Sequence, residues 1–331
     1  MSGPRCLLVA VLLLPLAACS AARETATHTP DAVSAVVIPV LFTAPFYIAQ
    51  AEGYFADENL DVELVRLARN IDAIPALAQG EVSVGAGQVT VAMLNAMAAG
   101  ADIRIVGGTG HLAAGGCTFH GFVVRRELVP DDGVVDTEAL RGRRAEVDIA
   151  LPHAFWLDRA LQPLGLEIAD LELVDVPMAA LVDAFLGDAY DLTGLDEPRL
   201  TRLLASGDAV LWKATQEIAP DYPQSVLFFG PDLLEERPEV GKRFLSAYRR
   251  AIRQYNRGKT PRNLDILSAA MGLSRDELAA MCWVAMDDDA RVRTAGLGDY
   301  QRWALQRGLV ERVLPDEELV DERFGMQASS R

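Results

Sequence analysis

Residues 49–64 read AQAEGYFADENLDVEL and join a helix to a strand through a glycine and a short polar turn. The preceding stretch, Phe46–Gly53, is helix-like and stops at Gly53, as many helices stop at a glycine. Apolar and polar residues then alternate over Leu60–Leu67, which is the period of a strand with one buried face. The pattern predicts a helix followed by a strand.

The same alternation continues on both sides of this stretch. A second strand and helix series begins after Arg125-Arg126, and helices predominate beyond Pro238. Alternation of this kind predicts parallel strands with crossover helices, so the fold class is α/β. At 331 residues the chain is longer than the roughly 250 residues at which single cores stop growing, so we expect two domains.

Five segments stand in order along the chain: Ala49–Leu64, Ala76–Gly87, Ala98–Gly108, Asp136–Val147 and Tyr190–Pro198. In order and spacing they resemble the signature of the NMT1/THI5-like superfamily, which includes binders of sulfonates, taurine, nitrate and thiamine precursors. The resemblance runs from about Val37 to Leu309. It implies a two-lobed periplasmic-binding-protein fold of the type II kind, which grips a small molecule by hinge closure.

On this chain the resemblance implies that lobe I comprises residues 35–123 and 224–323 and lobe II residues 124–223. Two hinge crossings are expected, at Gly121–Arg125 and Ser225–Gly230, with the C-terminal helices packed on lobe I. The implied partners are a small-molecule ligand and an ABC permease with its cytoplasmic ATPase. We expect a monomer.

Residues 1–18 are predicted to be a lipoprotein signal peptide. Arg5 precedes an apolar run, Cys6–Leu14, that is too short to span a bilayer. Leu16-Ala17-Ala18-Cys19 resembles the lipobox of bacterial lipoproteins, which implies cleavage before Cys19 and lipid on its sulfur. An ordinary signal peptide with an incidental cysteine is the alternative. Residues 19–34 read as a tether. We therefore expect export, with lipid anchoring to the cell membrane or outer membrane, facing the periplasm or exterior.

Composition excludes several classes of protein. Half of the residues are hydrophobic, so the chain can bury enough surface to fold. The 47 acidic residues outnumber the 31 basic ones, and the net charge of −16 argues against a nucleic-acid partner. Beyond the lipobox the cysteines are Cys117 and Cys282, for which two separate buried thiols are favoured over a disulfide.

Candidate ligand-binding residues follow from the rule that ligands bind beyond the carboxyl ends of strands, where loops meet helix N-termini. In the first series they are Thr43, Phe46, Tyr47, Gln88, Thr90, His111 and Phe119. In the second series they are His153, Phe155, Thr193, Asp196 and Glu197. A structural role as a helix cap or core residue is the alternative for each.

Aromatic and acidic side chains are prominent in this set. Aromatic walls with carboxylates suit a planar ring that bears amino groups, such as an aminopyrimidine. The favoured ligand is therefore a planar heteroaromatic molecule that resembles the thiamine pyrimidine. The hydroxyls and amide of Thr43, Thr90 and Gln88 would instead suit a sulfonate, nitrate or other small anion.

Enzymatic motifs are absent from the sequence, which has no G-x-S-x-G elbow, no H-E-x-x-H and no P-loop. We expect no catalytic residue, no cofactor and no metal. His111 and His120 flank Cys117, but their spacing matches no standard metal site. The superfamily's pyrimidine-synthesising enzymes use a cysteine-rich motif, and Cys117 is isolated here. A ligand-sensing surface lipoprotein is an open alternative.

Overall fold

The computed structural model describes residues 29–66, 73–130, 133, 135 and 137–324. The predicted signal peptide, Cys19 and residues 20–28 of the predicted tether lie outside these ranges. The last four tether positions, Asp31–Ser34, instead form the start of the first strand, so the predicted tether is too long. In the described ranges ten strands form two mixed sheets flanked by helices, so the predicted two-lobed α/β fold is confirmed. No helix in the same ranges is long and apolar enough to cross a membrane.

The strands are β1 Asp31–Val37, β2 Leu60–Arg66, β3 Val84–Gly87, β4 Arg104–His111, β5 His120–Arg125, β6 Arg144–Glu146, β7 Glu172–Val174, β8 Leu192–Asp196, β9 Ala209–Ala214 and β10 Pro223–Phe229. The helices are α1 Ala44–Ala51, α2 Tyr54–Asp57, α3 Ala73–Ala78, α4 Val91–Ala98, α5 Thr137–Leu140, α6 Pro152–Leu161, α7 Leu181–Leu186, α8 Arg199–Ser206, α9 Thr215–Ile218, α10 Pro238–Tyr255, α11 Pro261–Met271, α12 Arg275–Ala280, α13 Leu297–Gln306 and α14 Asp316–Leu319.

The first sheet has the strand order β2-β1-β3-β10-β4. β1 runs parallel to β2 and β3, as the alternation of strands and helices predicts. β10 comes from much later in the chain and inserts antiparallel between β3 and β4. The first lobe therefore has a sheet that only the returning chain completes.

The second sheet has the order β7-β6-β8-β5-β9 and repeats this design. β6 is parallel to β7 and β8, whereas β5 is antiparallel to both of its neighbours, β8 and β9. All six residues of β5 are buried, because the strand is paired on both edges and its two faces are covered: Phe122 and Val124 pack in one hydrophobic cluster and Val123 in another.

The two passages between the sheets differ from the crossings expected at Gly121–Arg125 and Ser225–Gly230. The first of these segments lies within β5 of the second sheet, and most of the second lies within β10 of the first sheet. The chain instead passes between the sheets over residues 112–119 and returns over residues 215–222. Ladder hydrogen bonds hold β5 and β10 inside sheets, so the linking segments lie just before them. The predicted lobe limits stay a prediction.

The C-terminal helices cover the first lobe and also reach the second. α10 packs on α1 and α2, with the rings of Phe46 and Tyr248 4.9 Å apart. α13 lies against α6 of the second lobe, where the Trp303 indole N–H donates to the Asp158 carboxylate at 2.9 Å. The C-terminal region thus joins both lobes.

Cys117 and Cys282 form a disulfide, so the expectation of two separate thiols is wrong. Cys117 lies in the exposed part of the linking segment 112–119, and Cys282 follows α12. The backbone N–H of Cys282 also donates to the Glu197 carboxylate of the second lobe at 3.0 Å. The pairing depends on bringing together residues 165 positions apart, which no local pattern reveals.

Candidate ligand-binding site

A cluster of polar side chains lies where the two lobes meet. His120 opens β5 and Asp196 closes β8, and the two residues are directly opposite each other in the antiparallel pairing. His153 lies in the first turn of α6, which begins at Pro152. Because these strand and helix ends face the first lobe, the second lobe presents two imidazoles and a carboxylate to it.

The first lobe contacts this cluster through two amide side chains. Gln88, in the loop between β3 and α4, has its amide nitrogen 2.9 Å from the Nε2 atom of His153. Gln224, in β10, donates an N–H to the Asp196 carboxylate at 3.1 Å. Each glutamine joins a first-lobe element to a second-lobe side chain, so the cluster is assembled by the approach of the lobes.

Aromatic rings form one wall of the cluster. The ring centroids of His120 and His153 are 4.5 Å apart, and those of Trp156 and His153 are 5.3 Å apart. Trp156 lies 5.1 Å from His120 and 5.2 Å from Tyr222, nearly perpendicular to the tyrosine ring. Rings at these separations form a largely apolar wall with polar edges.

Unsatisfied polar atoms concentrate here. Among the described residues, seven buried side-chain nitrogen or oxygen atoms have no hydrogen-bond partner, and five of them surround this cluster. They are Nε2 of His120, Nε1 of Trp156, Nε of Arg199, the hydroxyl of Tyr222 and Oε1 of Gln224. A buried polar atom without a partner costs about 1–3 kcal/mol, so native structures rarely leave five together. The concentration indicates a place where a ligand supplies the partners.

The electrostatics of the cluster follow from burial. Burial, with a smaller effect of Arg199, lowers the pKa of His153 to about 4, and burial lowers that of His120 well below its usual range. Both imidazoles are therefore neutral at pH 7. Burial raises the pKa of Asp196 to about 6 and that of Glu146 to about 7. The site thus combines neutral rings, weakly acidic carboxyls and one guanidinium.

Some of the residues predicted from sequence are in or beside this cluster. Gln88, His153 and Asp196 belong to it. The Thr193 hydroxyl donates to the Glu146 carboxylate at 2.7 Å, three positions before Asp196 in the chain. Thr90 caps α4 next to Gln88 by accepting the backbone N–H of Met93.

Other predicted residues have structural contacts. The Thr43 hydroxyl donates to the carbonyl of Val40 at 2.8 Å, and the Tyr47 hydroxyl donates to that of Ile38 at 3.4 Å. Phe46 and Phe119 pack in the first-lobe core, and Phe155 packs against Tyr300 and Trp303. The Glu197 carboxylate accepts from Thr201 and Cys282.

His111 and His120, which flank Cys117 in the sequence, do not form a thiolate site with it. Cys117 is bonded to Cys282, and His111 lies 4.0 Å from Asp287 in the first lobe. His120 instead turns toward the lobe junction. Its Nδ1 atom is 2.5 Å from the Thr215 hydroxyl.

Sequence reasoning did not select Arg199, Tyr222 or Gln224. Arg199 begins α8 after a cis peptide bond between Glu197 and Pro198, and Tyr222 and Gln224 flank the start of β10. The rule about loops after parallel strands could not find Gln224, because it sits in an inserted antiparallel strand. Its position depends on the long-range pairing of β10.

Comparison with protein families matches residues 42–256, or 215 of the 331 residues, to the family described as NMT1/THI5 like. The chain belongs to the NMT1/THI5-like family. The predicted resemblance is thereby confirmed. The comparison with curated protein sequences gives no match.

Solved structures similar to this NMT1/THI5-like chain share its fold. One is the ligand-binding component of an ABC-type import system from Staphylococcus aureus, with zinc bound (16% identity, TM-score 0.73, covering 90% of this chain and 99% of that one). Another is the periplasmic aliphatic sulphonate binding protein SsuA from Escherichia coli (16% identity, TM-score 0.71, covering 89% of this chain and 99% of that one). A third is the desulfurization enzyme DSZB (17% identity, TM-score 0.61, covering 89% of this chain and 97% of that one). At these identities the likeness establishes the fold alone.

Proposed function

We propose that the chain is an extracytoplasmic solute-binding protein that closes on a small planar heteroaromatic ligand and delivers it to an ABC importer. The observation that carries this proposal is the group of five buried polar atoms at the lobe junction that have no hydrogen-bond partner within the described ranges. A ligand held there would contact both lobes at once, so its binding would favour the closed arrangement of the two lobes.

The chemistry of the junction favours a neutral or weakly basic planar ligand. Trp156, His120 and His153 offer ring faces and edges, and the amides of Gln88 and Gln224 offer both donors and acceptors. A ring with amino groups would donate to Asp196 and to Oε1 of Gln224, which accepts no hydrogen bond from any described residue. A thiamine-pyrimidine-like molecule matches this pattern.

A small anion is the second candidate, and Arg199 is the observation that favours it. Its Nε atom is buried and without a partner among the described residues. Asp196, whose pKa is about 6, nevertheless carries negative charge at pH 7, and the neutral imidazoles of His120 and His153 do not offset it. Sulfonate and nitrate therefore rank below a heteroaromatic ligand.

The cellular setting belongs to the same proposal. Lipid on Cys19 would hold the protein outside the cytoplasmic membrane, as a monomer beside its permease and ATPase. The similar import-system component and sulphonate binder support delivery to an importer, and the DSZB structure shows that this fold also serves an enzyme. A sensor lipoprotein would bind the same ligand without permease contact. Cross-linking to the permease separates the importer from the sensor.

The test is calorimetric titration of purified protein with a panel of aminopyrimidines and a panel of alkanesulfonates. We expect binding of an aminopyrimidine, with a decrease in radius of gyration in X-ray scattering. Gln88→Ala should weaken binding at least tenfold, whereas the matched variant Gln50→Ala, at an exposed position of α1, should not. Binding of sulfonates alone would refute the heteroaromatic ligand, and absence of closure with any ligand would refute the transport role.

A further inference from the structure

Three side chains at the lobe junction are placed to bind a metal ion. One ligand atom from each of His120, His153 and Asp196 lies within 4.8 Å of those of the other two. Two imidazole nitrogens and a carboxylate oxygen are a donor set that suits Zn²⁺ and related first-row ions. Donor atoms of a tetrahedral site at about 2.1 Å from the ion are about 3.4 Å apart, so small side-chain shifts would close this cluster on an ion.

His120 is held with one ring nitrogen available. Its Nδ1 atom is 2.5 Å from the Thr215 hydroxyl, and its Nε2 atom is buried without a partner among the described residues. With the ring proton on Nδ1, donated to Thr215, the lone pair on Nε2 is free. Bound metals select this tautomer, because a ligating histidine usually donates its other N–H to a fixed acceptor.

Glutamine side chains also contact and orient the other two members of the cluster, His153 and Asp196. The Gln88 amide nitrogen lies 2.9 Å from Nε2 of His153. Because an amide's nitrogen and oxygen exchange places in a 180° flip, the flipped amide would accept an N–H from Nε2 and leave the lone pair on Nδ1 for an ion. Gln224 donates to one oxygen of Asp196. Each of the three side chains thus has an outer partner that orients it, as in built metal sites.

Charge and ligand number indicate an open site. Arg199 is close enough to lower the pKa of both histidines and of Asp196, and it opposes a bare cation. Its own Nε atom has no hydrogen-bond partner in the described part of the chain, so it would stabilise an anionic or strongly polar group bound to the ion. Three protein ligands with an open fourth position are typical of sites that take an exogenous donor.

We propose that His120, His153 and Asp196 bind one divalent first-row ion, with Zn²⁺ the natural candidate, and that the fourth position accepts a nitrogen or oxygen of the solute. The inference deepens the proposed function and rests on its placement of the binding site between the lobes. A heteroaromatic ring nitrogen is a suitable donor for that position.

The experiment measures metal binding to the full chain after chelator treatment and dialysis. Zn²⁺ content is determined by mass spectrometry, and Co²⁺ is used as a spectroscopic probe because its visible absorption reports tetrahedral coordination. We expect one ion per chain. Asp196→Asn and His153→Ala should each weaken binding at least tenfold, and the matched control His111→Ala, at a histidine outside the cluster, should bind as the parent does. Thermal unfolding of each metal-free variant checks that it is folded.

Two results would overturn the metal site: no stoichiometric ion in the parent, or parent-like affinity in both Asp196→Asn and His153→Ala. The aminopyrimidine titration, repeated on metal-free protein, separates this inference from the proposed function. Solute binding to metal-free protein, with an affinity that Zn²⁺ does not change, refutes coordination of the solute by the ion and leaves the proposed function standing. If both variants lose ion binding, the metal site is supported. If in addition neither the metal-free nor the Zn²⁺-loaded parent binds an aminopyrimidine, the proposed heteroaromatic ligand is refuted.

Discussion

Removing the Cys117–Cys282 bridge should destabilise the protein substantially. The two cysteines are 165 residues apart, so the bridge closes a very long loop of the unfolded chain. The chain-entropy relation gives about 17 cal/mol/K for that length, or about 5 kcal/mol at 25 °C, as an upper figure. Measured losses for native disulfides are about 2–5 kcal/mol, because the reduced unfolded state keeps some structure.

The bridge also has a local consequence in the folded state. It ties the linking segment 112–119 to the segment after α12, where Cys282 donates its backbone N–H to Glu197 of the second lobe. We therefore expect the double variant Cys117→Ser, Cys282→Ser to melt about 4–10 °C below the parent, at about 2 °C per kcal/mol for a chain of this size.

The assay is thermal unfolding by circular dichroism, with and without reductant, on a version of the chain beginning at Ser20. Reductant should lower the melting temperature of the parent to that of the double variant and leave the double variant unchanged. Thiol titration of the unreduced parent should find no free thiol. Two free thiols, or a double variant that melts within 1 °C of the parent, would refute the reasoning.

Three further predictions concern stability. Burial raises the pKa of Glu146 from 4.5 to about 7, so ionising this side chain lowers the free energy of unfolding as the pH rises through that interval. In urea unfolding, Glu146→Gln should therefore be about 1–3 kcal/mol more stable than the parent at pH 8 but not at pH 4, and equal midpoints for parent and variant at pH 8 would contradict this. Asp158→Ala removes the carboxylate that joins α6 to α13 and should cost about 3 kcal/mol in the same assay, and a loss below 1 kcal/mol would count against it. Gly230→Ala places a Cβ 2.6 Å from the carbonyl oxygen of Leu77 and should cost about 1–3 kcal/mol of stability. In the control Gly116→Ala the nearest atom, the carbonyl oxygen of Ala113, is 3.5 Å from the new Cβ, so this variant should be neutral. Similar unfolding midpoints for the two variants would show that the backbone at Gly230 adjusts.

Local patterns predicted most of the secondary structure. The strand expected at Leu60–Leu67 is β2 at Leu60–Arg66, and the helix expected at Phe46–Gly53 is α1 at Ala44–Ala51. These elements follow from hydrophobic period and from helix stops such as Gly53, which has a positive φ, and such signals act within a few residues. The ends differ by one or two residues because helix and strand ends depend on their neighbours.

The candidate site was predictable only in part. Gln88, His153 and Asp196 sit where helix starts and strand ends place side chains in an α/β fold, and the sequence alone selects them. Tyr222 and Gln224 carry no such signal, because β10 reaches the site by pairing with strands more than a hundred residues earlier. Their role depends on the topology of the first sheet.

The amino-acid sequence by itself determined the α/β class, the two-lobed organisation and the family, since each rests on short motifs and on periods that local backbone geometry imposes. Only the tertiary structure decided that Cys117 bonds Cys282 and that His120 meets His153 and Asp196. Such contacts join residues from different lobes or distant segments. Their distances are set by how strands pair and how the lobes close, and no interaction between near neighbours in the chain encodes them.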